Sequence, residues 1–115
     1  MARLLSVVET PAYLARAAKL MDDTERNAVI DMIAAAPSVG ALIRGTGGLR
    51  KMRVPLQGRG KRGGGRVIYW FHSEGFPAVL LWAFAKNEAS DLTANQRKQL
   101  AVVADGLLAD FRRRR

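Results

Sequence analysis

The sequence predicts an α+β fold: a small antiparallel sheet with two N-terminal helices packed on it and a C-terminal helix. Three observations carry this. Two runs in the second half, RVIYWFH and AVLLWAFA, are rich in aromatic and β-branched residues. Three helix-start signals stand at Thr10–Pro11, Asp22 with Glu25, and Thr93 with Gln96. The chain has 115 residues, 49% of them hydrophobic, enough for one domain to bury a core without disulfides. Residues 1–111 are read as that single domain and 112–115 as a basic tail.

Arg3 to Glu9 reads as a short β-branched strand. Thr10 offers a capping hydroxyl, and Pro11 follows where its missing N–H does no harm. The first helix then runs to about Met21, burying Tyr13 or Leu14, Ala17, and Leu20 or Met21. Asp22 and Glu25 form an acidic variant of the capping box, opening a second helix that Pro37 stops. The tight connection at Asp22 makes the two an antiparallel hairpin. Leu49 to Val54 alternates basic and apolar residues like a strand, and a glycine-rich basic loop spans Pro55 to Gly65. Arg66 to His72 and Ala78 to Ala85 are the strong strands; the second is almost wholly apolar, as suits a strand buried on both faces. Leu100, Val103, Ala104, Leu107, Leu108 and Phe111 follow helical spacing in the last element.

The charge is unevenly placed. The net charge is +9, yet Met32 to Ser73 contains no acidic residue and holds eight basic ones: Arg44, Arg50, Lys51, Arg53, Arg59, Lys61, Arg62 and Arg66. Arg112 to Arg115 add four more, and the remainder is slightly acidic. Such asymmetry marks a surface for a polyanion, with nucleic acid the leading candidate. The absence of Cys excludes thiolate zinc sites, iron–sulfur clusters and a Cys nucleophile; a single His argues against a His-rich metal site. No apolar run is long enough to span a bilayer, and Leu4 to Val8 is too short for a secretory signal, so the expected location is cytoplasmic, with no membrane partner.

Arginine presents a planar donor fork to phosphate and lysine a compact charge. RNA cleavage needs the 2′-hydroxyl deprotonated, the phosphorane charge stabilised and the leaving oxygen protonated. The nucleophile lies within the substrate, so no metal or cofactor is obligatory, and a Lys/Arg cluster can supply the stabilisation. Phosphate binding without chemistry uses the same residues, and both readings stay open at this level. The segment GRGKRGGGR is not a phosphate-binding P-loop, because it lacks GxxxxGK[ST] and a strand follows it. Phe84, near a strand end, is a candidate for base stacking or for packing under the last helix. His72 is a candidate for proton transfer or for a structural hydrogen bond. Lys86, Asn87 and Glu88 follow the strongest strand, where polar groups meet a ligand; Glu88 and Asp91 equally suit the entry to the last helix.

The ordered strings GTGGLRKMRV, GRGKRGGGRVIYWFH and LLWAFAKNEASDLT, with ETPAYLARAAKLMDDTERNAVIDMIAAAPSVGALI upstream, resemble the RelE/HigB family of bacterial toxins, within the RelE/ParE superfamily. The likeness spans about residues 9 to 105. It implies the RelE-like toxin fold and a ribosome-dependent endoribonuclease that cuts mRNA and is silenced by a cognate antitoxin, without a cofactor or metal. Carried onto this sequence, the family's basic strand residues fall on Lys51 and Arg53 with Arg50 beside them, its strand-opening arginine on Arg66, and its polar segment on Lys86, Asn87 and Glu88. The expected catalytic residues are Lys51, Arg66 and Lys86. RNA binding is expected of Arg50, Arg53, Arg59, Lys61, Arg62 and Phe84, and proton transfer of His72 or Glu88. The family often carries Tyr or His near the last strand–helix junction, and Ala89 to Thr93 contains neither. The alternatives are a ParE-like toxin acting on DNA gyrase and a non-catalytic RNA-binding module.

Overall fold

The computed structural model describes residues 5–56 and 64–114. Its elements run β1 (Val7–Glu9), α1 (Pro11–Leu20), α2 (Asp23–Ala35), β2 (Ala41–Leu42), β3 (Leu49–Val54), β4 (Gly65–Trp70), β5 (Ala78–Ala85) and α3 (Ala94–Arg113). The three helix starts are capped as the sequence predicts. The Thr10 hydroxyl accepts from the Tyr13 N–H at 3.2 Å and donates to the Leu80 carbonyl at 2.8 Å, which ties the helix entry to β5. Asp22 with Glu25, and Thr93 with Gln96, close reciprocal capping boxes at 2.7–3.0 Å.

The sheet order is β1-β5-β4-β3-β2. β2 to β5 pair antiparallel, as expected, but β1 lies parallel to β5, with Val7 opposite Ala78 and Glu9 opposite Leu80. The sheet is therefore mixed. Strand direction is set by which elements intervene, and the first strand carries no local signal for it. β2 adds a two-residue edge strand within what reads as a loop; the Tyr69 hydroxyl secures the approach to it, accepting from the Gly40 N–H at 2.9 Å and donating to the Pro37 carbonyl at 2.7 Å. A Cβ on Gly40 would lie 2.8 Å from that hydroxyl, so the close approach requires glycine.

Helices cover both faces. α1 and α2 bury Tyr13, Ala17, Leu20, Val29 and Ile33 against Met52, Val54, Val67, Tyr69 and Leu80. On the other face α3 packs through Ala104, Leu107 and Phe111 on Leu49, Ile68, Trp70 and Val79. β4 is buried throughout and β5 almost so, which explains their unbroken apolar runs. Between Ile68 and Tyr69 the ladder shifts: Ile68 faces Trp82 and Tyr69 faces Leu80, so Leu81 is a bulge residue. The bulge fixes which face the rest of β5 presents.

Candidate functional site

β3 and β4 pair with Lys51 opposite Ile68 and Arg53 opposite Arg66. Directly opposed residues share a face, so Lys51, Arg53 and Arg66 stand together on the α3 face, beyond the aromatic packing that α3 covers. The Arg66 side chain is only 9% exposed and its Nη1 donates to the Gly65 carbonyl at 3.1 Å. Arg53 is exposed. Among the described residues neither arginine has an acidic partner. Two like charges directly opposed across a ladder repel, and an anion between them would relieve this.

Lys51 differs: its Nζ donates to Asp91 Oδ2 at 2.9 Å, both side chains being partly exposed. That hydrogen bond, with help from the Leu92 N–H and the nearby Arg97 charge, holds the Asp91 carboxyl below its ordinary range against the opposing effect of burial. β2 pairs only with Arg50 and Lys51, so the outer edge of β3 from Met52 to Val54 is not covered by β2. A cleft of about 520 Å³ opens there, lined by Lys51, Arg53, Arg66 and Ser90 with Met32 and Val39 at its apolar side. Its donor set is cationic, fitting a phosphodiester.

Lys86 is exposed at the end of β5, and its N–H donates to the Gly64 carbonyl. Gly64 has φ +68°, and a Cβ there would sit 2.4 Å from the Val54 carbonyl oxygen, so glycine lets β4 begin tight against β3. Lys86 lies two residues past Phe84, the strand partner of Arg66, about 7 Å along the chain. Arg16 of α1 braces this turn. Its Nε caps the Ala83 carbonyl at 2.8 Å on the edge of β5 beyond β1, its Nη2 meets Glu88 Oε1 at 2.7 Å, and its guanidinium lies over the Trp82 ring at 5.3 Å.

Four expectations are corrected. Arg50 points to the opposite face from Lys51, where Nη1 donates to the Gly40 and Ser38 carbonyls; strand alternation separates it from the cleft. Phe84 is 4% exposed and packed under α3, so its ring is not presented to a base. His72 follows β4 at the far end from Arg66, about 20 Å along the strand direction, where its ring packs on Trp70 and Phe76. Glu88 is engaged by Arg16 and by the Ala85 N–H at 2.8 Å, and so braces the turn. Arg59, Lys61 and Arg62 lie outside the described residues. The sequence reading missed Arg16 and Ser90 and took Asp91 only as a helix-entry residue; its place in the polar segment after the strongest strand was the available signal. Among the described residues no group of three or more His, Cys, Asp or Glu is placed to hold a metal ion, and no helix is long and apolar enough to cross a membrane.

The fold is similar to that of the E. coli toxin RelE, solved in the free state as a double arginine-to-alanine mutant. The TM-score is 0.57 and the identity 16%, over 86% of this chain and 95% of that one. Residues 11–113 match the family model described as the RelE toxin of the RelE/RelB toxin–antitoxin system. That match takes in both N-terminal helices, the cationic strands and α3, and with it the chain belongs to the RelE family of toxins from toxin–antitoxin systems.

Proposed function

We propose that this chain is a ribosome-dependent endoribonuclease that cleaves mRNA in the cytoplasm, arrests translation and is silenced by a cognate antitoxin encoded beside it. The observation that carries this reading is the Arg53–Arg66 cross-strand pair, without acidic partners and next to Lys51 on an open cleft. In the mechanism, the 2′-hydroxyl gives its proton to solvent and its oxygen attacks the adjacent phosphorus as the P–O5′ bond breaks, leaving a 2′,3′-cyclic phosphate and a 5′-hydroxyl. Arg66, held rigid by burial, and Lys51 stabilise the charge that develops on the phosphorane oxygens. Arg53 grips the backbone, and Lys86 positions the phosphate or carries the proton to the departing oxygen. The nucleophile belongs to the RNA, so the scheme requires no metal. With no Tyr or His from Ala89 to Thr93, electrostatic stabilisation and imposed geometry carry most of the rate.

Primer extension on cellular mRNA after induction tests the reading: discrete new 5′ ends within translated regions are expected. Arrest of translation without new ends identifies a non-catalytic RNA binder, and DNA damage identifies a gyrase-directed toxin. The double variant Lys51→Ala, Arg66→Ala should lose growth arrest while still binding the antitoxin. Unchanged toxicity in that variant refutes the site.

A further inference from the structure

We infer that Asp91 is a positioning residue for Lys51: its carboxylate holds the ammonium at the cleft and sets the geometry in which Lys51 meets the phosphate. The inference rests on the endoribonuclease reading above. Lysine ends a flexible four-carbon stem, and ordering it costs rotamer freedom. Arg66 is constrained by other means, through its burial. Among the described residues Lys51 makes its side-chain hydrogen bond to Asp91 alone, at 2.9 Å. Asp91 is itself oriented, since Oδ1 accepts the Leu92 N–H at 2.8 Å and leaves Oδ2 for the lysine. The loop it stands on leads into the capping box of α3, so the carboxylate is fixed to the helix that packs the same face.

Among the described residues Asp91 is also the one acidic side chain in contact with the cleft's cations. Lys51 meets it from the sheet and the Arg97 charge acts on it from α3, while Arg53 and Arg66 share the sheet face of Lys51. A carboxylate beside a phosphate site repels the substrate. Helix entry does not call for a carboxylate here, because the N-cap of α3 is Thr93. Asp91 therefore weakens phosphate binding and improves the alignment of Lys51, and these two effects separate kinetically.

The test is cleavage of a defined mRNA on programmed ribosomes by the wild-type protein, Asp91→Asn and Asp91→Glu. In Asp91→Asn the expected kcat falls about tenfold while KM falls two- to threefold, since alignment is lost and repulsion relieved. Asp91→Glu should restore kcat to within about threefold of wild type. A lower KM with kcat unchanged or raised makes Asp91 a mere screen of phosphate and overturns the proposal. A lower kcat with KM unchanged and no rescue by Glu makes it a helix-entry residue and also overturns it. Carbon NMR of the Asp91 carboxyl in the wild type and Lys51→Met supplies a readout independent of catalysis. Removing the lysine should raise the carboxyl pKa toward the ordinary carboxylate range; no change shows that the contact is not formed and overturns the proposal whatever the chemistry. A wild-type protein that does not cleave, with the NMR shift present, refutes the endoribonuclease reading and with it this role, while leaving the ion pair established.

Discussion

Replacing Arg53 by Gln should make the protein more stable and less able to hold phosphate. Arg53 and Arg66 are directly opposed on β3 and β4, and neither meets a carboxylate among the described residues. For a separation of about 6 Å, on the order of the Cβ spacing of directly opposed residues, the repulsion is roughly 0.7 kcal/mol in a water-like dielectric and about 2.8 kcal/mol at an effective dielectric of 20. Arg53 is exposed and Arg66 is 9% exposed, which places the pair toward the lower figure, at about 1 kcal/mol in low salt. Gln keeps the polar tip and most of the stem, so the gain should survive the substitution. In a domain near this size about 1 kcal/mol raises the unfolding temperature by roughly 4–8 °C.

Ligand should cancel that advantage. An RNA oligonucleotide at about 100 times its Kd stabilises the wild type by about 2.7 kcal/mol; if the substitution weakens binding tenfold, the variant gains only about 1.4 kcal/mol. Thermal unfolding at low and high salt, with and without RNA, measures all of this. The variant should melt higher without RNA in low salt, the difference should shrink in high salt, and RNA should close it. A variant no more stable than wild type in low salt, or an RNA effect equal in both proteins, refutes the anion-site reading of the pair.

Three further outcomes follow from the packing. Tyr69→Phe removes a buried hydroxyl that serves both Pro37 and Gly40, and should cost about 1–3 kcal/mol, read as a lower urea midpoint at unchanged slope. Burial, with the Glu9 charge, pushes the Tyr13 phenol up to about 12. The folded state keeps that proton where the unfolded chain loses it, so the contribution is complete below pH 10 and is lost between pH 10 and about 12; the loss is roughly 2–3 kcal/mol, absent in Tyr13→Phe, and is measured by urea titration across that range. His72→Ala and Phe84→Leu should both retain growth arrest, whereas Phe84→Ala should fail by unfolding, at a cost of about 3–5 kcal/mol; arrest lost in a folded His72→Ala places that imidazole in the reaction.

What the sequence disclosed was the part governed by local chemistry. Thr10, Asp22 and Thr93 announce helix starts through the hydrogen bonds they make within four residues, and all three form. The boundaries of β3 and β5 coincide with their apolar and alternating runs. The parallel pairing of β1 and the two-residue β2 depend on distant partners and leave no local trace. At the site, alternation along β3 put Lys51 and Arg53 on one face, and the same rule excludes Arg50, which had been grouped with them by adjacency in sequence. Arg16 was invisible because its three partners, Ala83, Glu88 and Trp82, lie more than sixty residues away.

The bulge at Leu81 decides which face the far end of β5 presents. Strict alternation from Val79 and Leu81, which lie on the α3 face, would send Ala83 and Ala85 to that face and Trp82 and Phe84 beneath α1. One extra residue reverses this. Ala83 and Ala85 lie against the N-terminal helices, where small side chains admit the close approach that lets Arg16 reach the Ala83 carbonyl. Trp82 and Phe84 move to the α3 face, and Phe84 becomes the cross-strand neighbour of Arg66. Arg66 is almost entirely withdrawn from solvent. A charge in that position is held more rigidly, and acts through a lower dielectric, than one on an exposed strand. A chain without Cys, and with its one His at the far end of the sheet, has few other means of concentrating charge on a phosphate.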